Sequence, residues 1–143
     1  MVIVLDTNVL VSGLLNPFGP PGRVLDQVLS NAVRVAFDDR ILDEYSEVLA
    51  RPKFGFSRTD IQALIDLLRL NGQQVVAGPM AAGNMPDAGD IPFAEVAMSA
   101  RADALVTGNL GHFDLLDKEG VPVISPSEFL ESLGRLLQED EDP

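Results

Sequence analysis

The chain opens on Met1-Val2-Ile3-Val4-Leu5, apolar at every position, and then places an acid, Asp6. A continuous apolar run rich in β-branched residues is the pattern of a strand buried on both faces, as strands of a parallel sheet are. Burying a carboxylate at the end of such a strand is costly unless a partner meets its charge. Two partners are open at this point. Asp6-Thr7-Asn8 are all good capping residues, so Asp6 can cap a following helix or turn. A metal ion is the other.

The rest of the chain alternates strand and helix patterns. Asn16 to Gly22, with Pro17, Pro20 and Pro21, reads as a loop or break. Arg23 to Ser30 follows with Val24, Leu25, Val28 and Leu29 at helical spacing. Val33 to Phe37 is a second short strand. Asp38 or Asp39 caps a helix that turns Ile41, Leu42, Tyr45, Val48 and Leu49 inward and ends before Pro52. Ser57-Arg58-Thr59-Asp60 resembles a capping box and starts a helix running to Leu70. A Gly-, Pro- and Met-rich stretch covers Gly72 to Gly89, with Val75-Val76 as a short extended piece. A helix is expected from about Ile91 to Ala100, a buried strand at Ala104 to Thr107, and a last strand at Val121 to Ile124. Ser125-Pro126-Ser127-Glu128 is a helix start, with an N-cap Ser, Pro at the first helical position and Glu at the third.

This pattern predicts a parallel sheet with helices on both faces, a three-layer α/β/α sandwich of Rossmann-like type. At 143 residues the chain suits one domain, taken as residues 1–137, followed by an acidic tail at 138–143 expected to be disordered. With no cysteine, disulfides and thiolate-bound zinc or iron–sulfur clusters are excluded. No apolar run is long enough to span a membrane, and the start lacks the basic region of a signal peptide. A cytoplasmic protein is the expectation. The formal net charge of −12 argues against binding nucleic acid mainly by neutralising phosphates. Carboxylates that hold a cation count as bare charge, however, until the ion is added.

In open parallel sheets, ligands bind beyond the carboxyl ends of the strands. Asp6 follows the first strand. Asp38 and Asp39 follow the second, with Asp43 and Glu44 one turn on. Gly108 and Asn109 follow the Val106 strand, and Asp87 and Asp90 open the helix before it. Each acid alone can be a cap or a solvated side chain. Asp6, Glu44 and Asp90 come from separate elements yet lie where a crevice is expected, and like charges gathered there repel unless ions are present.

The order of motifs resembles a PIN-domain nuclease, of the branch that includes VapC-like toxins of toxin–antitoxin modules. The residues that carry the resemblance are Val2 to Ser12, with Leu5-Asp6-Thr7-Asn8 at its centre; Leu42 to Phe54, with Asp43-Glu44-Tyr45 and Arg51-Pro52-Lys53-Phe54; Asp87 to Ala97, beginning Asp87-Ala88-Gly89-Asp90; Ala102 to Asn109; and Val123 to Leu130. Together they span about residues 1–133. The resemblance implies that Asp6, Glu44 and Asp90 bind Mg²⁺ or Mn²⁺, with Asp87 a further ligand or a contact through water. Thr7, Asn8 and Thr107 would orient the carboxylates, and Asn109 would stand beside them. Many relatives carry Asp where this chain has Asn109, a neutral oxygen donor that cannot help to neutralise an ion. His112 is expected to be structural or to face the substrate.

Hard cations with oxygen ligands suit hydrolysis of a phosphodiester by water, and no Ser–His pair, Cys nucleophile or phosphate-binding Gly-rich loop competes. The expected activity is a metal-dependent endoribonuclease, with a catalytically weak PIN-like binding module as the alternative. A receiver domain fits poorly: its phospho-accepting Asp does not end the first strand of the chain, as Asp6 does here, and the only Lys late in this chain is Lys118. A haloacid-dehalogenase-like phosphatase would need an Asp where Asn8 stands. RNA contacts are expected from Arg40, Arg51, Lys53 and Arg58, which flank the Glu44 helix. The resemblance further implies a small antitoxin partner and is compatible with a homodimer through helices; the apolar residues around Ile61, Leu64, Leu67 and Leu68 can serve a dimer as easily as the core.

Overall fold

The computed structural model describes residues 1–79 and 87–141. Its sheet has five strands in the order β3-β2-β1-β4-β5: β1 (Val2–Leu5), β2 (Arg34–Phe37), β3 (Gln73–Gln74), β4 (Ala104–Val106) and β5 (Val123–Ile124). All pairings are parallel, with Ile3 opposite Val35 on one side and Ala104 on the other. β1 is therefore the central strand, and Ile3, Val4 and Leu5 are fully buried. That explains the unbroken apolar run: both faces of β1 are covered by helices, so neither can be polar.

The helices are α1 (Thr7–Leu15), α2 (Pro20–Leu29), α3 (Asp39–Leu49), α4 (Arg58–Asn71), α5 (Ile91–Ser99), α6 (Asp114–Lys118) and α7 (Pro126–Glu141). α2 packs on α1 and α7, and α3 packs on α4 and α5, and the arrangement is a three-layer α/β/α sandwich. Two expected starts have the capping bonds their sequences call for. Ser57 Oγ accepts from the Asp60 amide at 3.1 Å, and Ser125 Oγ from the Glu128 amide at 3.1 Å. Glu128 Oε1 accepts in return from the Ser125 amide at 3.4 Å, closing the box.

Several expectations are corrected. Pro20 and Pro21 do not extend a loop; they form the first turn of α2, capped by Gly19. The missing amide of proline costs nothing there, because first-turn amides lack helical partners anyway. Gly22 lets the preceding loop fold tightly onto this turn, since a Cβ would lie 2.4 Å from the Pro17 carbonyl. α1 begins directly after Asp6, and α6 with the 3₁₀ turn Leu110–Phe113 stands where no element was expected; Phe113 and Leu116 anchor that segment in the core. The third strand is Gln73–Gln74 rather than Val75-Val76: Val75 still donates to Phe37 O at 2.9 Å, but Val76 is 98% exposed. On α4, Ile61, Ile65 and Leu68 belong to the core, whereas Leu64 and Leu67 are half-buried. α7 continues to Glu141, and Asp142 and Pro143 lie outside the described residues. Among those described, no helix is long and apolar enough to cross a membrane.

The chain leaves β1 for β2 on one side and returns to β4 on the other. The crevice at the carboxyl ends of β1 and β4 is thus the topological switch point, where α/β folds bind ligands.

Candidate metal centre

Asp6 ends β1 and caps α1, so the choice between a cap and a charged site residue is not exclusive. Its Oδ1 accepts from the Thr7 amide at 2.9 Å, and its Oδ2 from the Thr107 hydroxyl at 2.7 Å. Thr107 follows β4 directly and is fully buried; its oxygen also accepts from the Asn109 amide at 3.0 Å. The ends of two neighbouring strands therefore grip one carboxylate. The Thr7 hydroxyl turns the other way and donates to Glu44 Oε2. Asn8 lines the same cleft, and its side-chain oxygen accepts from the Gly108 amide at 3.4 Å, fastening α1 to the loop after β4.

Glu44 reaches the site from α3. The neighbouring Tyr45 is fully buried and donates its hydroxyl to the carbonyl of Leu5, the residue before Asp6. Burial, with Asp6 and Glu44 adding, raises the Tyr45 phenol well above its usual range. Asp90 ends the 3₁₀ turn Ala88–Asp90, and its Oδ2 lies 3.2 Å from His112 Nδ1. Asp87 caps that turn, accepting from the Gly89 amide at 2.9 Å. A cleft of about 380 Å³ is lined by Asp6, Thr7, Asn8, Val11, Ser12, Glu44, Val48, Phe54, Asp87, Asp90, Asn109 and His112.

The charges in this cleft are unbalanced. Burial raises the Asp6 carboxyl from its ordinary value; Asp90 raises it further, while the Thr107 hydrogen bond works against both. Asp90 is raised first by burial and then by Asp87, with His112 opposing. Two carboxyls displaced upward by desolvation and by neighbouring acids, Asp6 by Asp90 and Asp90 by Asp87 and Glu44, mark a place that favours a cation. The donors are oxygens and one imidazole, which suits a hard divalent ion. Among the described residues, no three acidic or histidine side chains stand close enough to form a ready-made cage. An ion that keeps several of its waters fits this set, as Mg²⁺ typically does.

Of the four basic residues expected at the substrate, Arg40 lies elsewhere. Its guanidinium pairs with Asp38 at 2.8 Å and with Glu95 at 2.8 Å, in a second pocket. Arg51, Lys53 and Arg58 are exposed. Asp38 caps α3 through the Ile41 amide at 3.1 Å, and neither it, Asp39 nor Asp43 lines the carboxylate cleft. Phe54 and Val48 do line it, and the sequence reading gave neither a place there. The signal for Phe54 was a bulky aromatic in a loop punctuated by Pro52 and Gly55.

Residues 2–111 match the sequence profile of the family described as PIN domain. The protein named "Uncharacterized protein MJ1680" of Methanocaldococcus jannaschii is 27% identical over 145 residues, covering 94% of this chain and 93% of that one. In fold, the chain is similar to one in the crystal structure of VapBC2 from Rickettsia felis bound to a promoter DNA fragment. The TM-score is 0.56 at 16% identity, with 87% of this chain and 98% of the other covered. PIN domains are generally nucleases that use divalent metal ions. With the profile match running from β1 past β4 and over every residue that supplies an acid to the cleft, the chain belongs to the PIN domain family.

Proposed function

We propose that the protein is a Mg²⁺- or Mn²⁺-dependent endoribonuclease. The observation that carries this reading is the meeting of Asp6, Glu44, Asp87 and Asp90 in one cleft at the switch point. Asp6, Glu44 and Asp90 hold the ion, and Asp87 assists directly or through water. A divalent ion bound there supplies positive charge to the scissile phosphate and lowers the pKa of water. Thr7 and Thr107 hold the Asp6 and Glu44 carboxylates in the cleft, and the acids draw together around the entering ion. His112 holds Asp90 from the open side of the cleft. Water attacks phosphorus, the bond to the 3′ oxygen breaks, and the products carry 5′-phosphate and 3′-hydroxyl ends. Arg51, Lys53 and Arg58 receive the flanking phosphates. Single-stranded segments suit the cleft better than duplex, whose strands are hard to separate within it.

The test is cleavage of single-stranded RNA with and without added Mn²⁺. Asp6→Asn should lose at least about a hundredfold in rate, because several kcal/mol of charge stabilisation goes with the ion. Undiminished cleavage by that variant would sink the reading. Asn109, which lines the cleft without a charge, favours one alternative, a weakly active PIN-like binding module. That alternative expects neither Mn²⁺ binding nor cleavage.

The proposal extends to a cytoplasmic toxin paired with a small antitoxin whose basic or amide side chain enters the acidic cleft. It is supported by family membership and by the fold shared with a VapBC2 chain. Co-expression with the neighbouring gene product should suppress cleavage. A homodimer through Leu64, Leu67 and the exposed Leu70 of α4 belongs to the same reading; sedimentation that finds a monomer at all concentrations would remove it.

A further inference from the structure

We propose that Phe54 is a stacking platform for an unpaired base of the RNA whose backbone enters the carboxylate cleft. The inference rests on the nuclease reading and adds to it the subsite that holds the substrate in place. Phe54 is the one phenyl ring among the residues lining the cleft, and it shares that wall with Asp6, Glu44 and Asp90. The local chain is built to present it. Pro52–Phe54 forms a 3₁₀ turn whose first residue needs no amide partner. Gly55 ends the turn at φ +70°, in the left-handed region where a side chain is strained. The reversal brings Phe56 back against Phe54, with ring centroids 6.1 Å apart and planes inclined by 26°. Phe54 is thus half-buried and braced by a second ring rather than free to turn. Lys53 Nζ lies over the Phe54 ring, 5.1 Å from its centroid, so a base stacking on that face takes the place of the ammonium and leaves it free to meet the nucleotide's phosphate.

Charge explains why such a platform is needed. A chain of net charge −12 gains little affinity from phosphate neutralisation. Stacking is indifferent to that charge and to base identity, since every base has a π-face. It therefore holds single-stranded RNA against an acidic surface, where a duplex offers no free base.

The protein has no tryptophan, so Phe54→Trp places a single indole at the site. Its fluorescence is followed on mixing with a short single-stranded RNA, before cleavage proceeds, and with an abasic oligomer of the same length. Quenching by the base-bearing RNA and not by the abasic one is expected. Phe54→Leu keeps an apolar residue for packing, and circular dichroism checks its fold. It should raise KM by roughly 5- to 100-fold with little change in kcat, and Phe54→Trp should restore KM. If RNA is cleaved but the abasic oligomer quenches equally, or Phe54→Leu leaves KM unchanged, the platform is overturned and the nuclease reading stands. If the wild-type chain cleaves nothing, the nuclease reading fails. Base-dependent quenching then still upholds the platform, and its absence overturns it.

Discussion

Two pockets of the molecule gather acids near the carboxyl ends of neighbouring strands, and they treat the charge in opposite ways. Beyond β2, Asp38 and the buried Glu95 share the guanidinium of Arg40. Beyond β1 and β4, Asp6 and Asp90 have hydroxyl, amide and imidazole partners, and both carboxyls are raised from their ordinary values. Arg40, held by Asp38 and then Glu95, is raised too, the sign of a cation well matched to its site. One pocket contains its own counter-ion; the lining of the other, among the described residues, includes no Lys or Arg. The number of acids alone does not separate a structural cluster from a chemical one. The separating fact is whether a cation of the chain stands among them.

The sharpest way to break the comparison is to supply the missing charge. Mn²⁺ at about a hundredfold over its Kd should stabilise the wild-type fold by about 2.7 kcal/mol, read as a rise in Tm. Asp6→Asn should show no such rise. An equal shift in both proteins would place the ion elsewhere. Removing the built-in cation comes next. Arg40→Ala leaves Glu95 without its guanidinium and should cost about 1–3 kcal/mol in urea unfolding, with Mn²⁺ affinity unchanged. A loss of Mn²⁺ affinity in that variant would join two sites separated here. Thr107→Val keeps the shape but removes the hydroxyl that grips Asp6. It should reduce metal affinity or cleavage about 10- to 100-fold, and full activity would mean that the grip does not matter.

The smallest effect is a dependence on pH. A carboxyl whose folded pKa is raised binds its proton more readily folded than unfolded. In metal-free protein, the contribution of Asp6 and Asp90 to stability should therefore increase as pH falls through their raised values towards 3.8, and be lost as pH rises. Mn²⁺ should flatten this slope. A metal-free stability that decreases as pH is lowered across that interval in the wild type, relative to an Asp6→Asn, Asp90→Asn double variant, would reverse the sign.

The sequence made some of this legible and hid the rest for definable reasons. The run before Asp6 announces a doubly covered strand, and the Ser57 and Ser125 caps were readable because both signals are local. α1 stays open between helix and turn in the sequence because Val9, Leu10 and Val11 are consecutive and all buried, so no polar stripe marks the period. Pro20 and Pro21 misled because the same residue both ends chains of helix and begins them. Arg40 was assigned to substrate from its position along α3. Of its two partners, Asp38 is a near neighbour in the chain, but Glu95 lies 55 positions away, a separation no local pattern records. Phe54 entered the sequence reading only as part of a motif, since a ring that faces a cleft and a ring that faces the core look alike in one dimension.

Tyr45 links these scales. Its hydroxyl ends on the carbonyl just before Asp6, while its backbone carries Glu44. The span between these two acids is thereby set by the length of one rigid side chain seated in the core. A change at Tyr45 would detune the site although no acid had been altered.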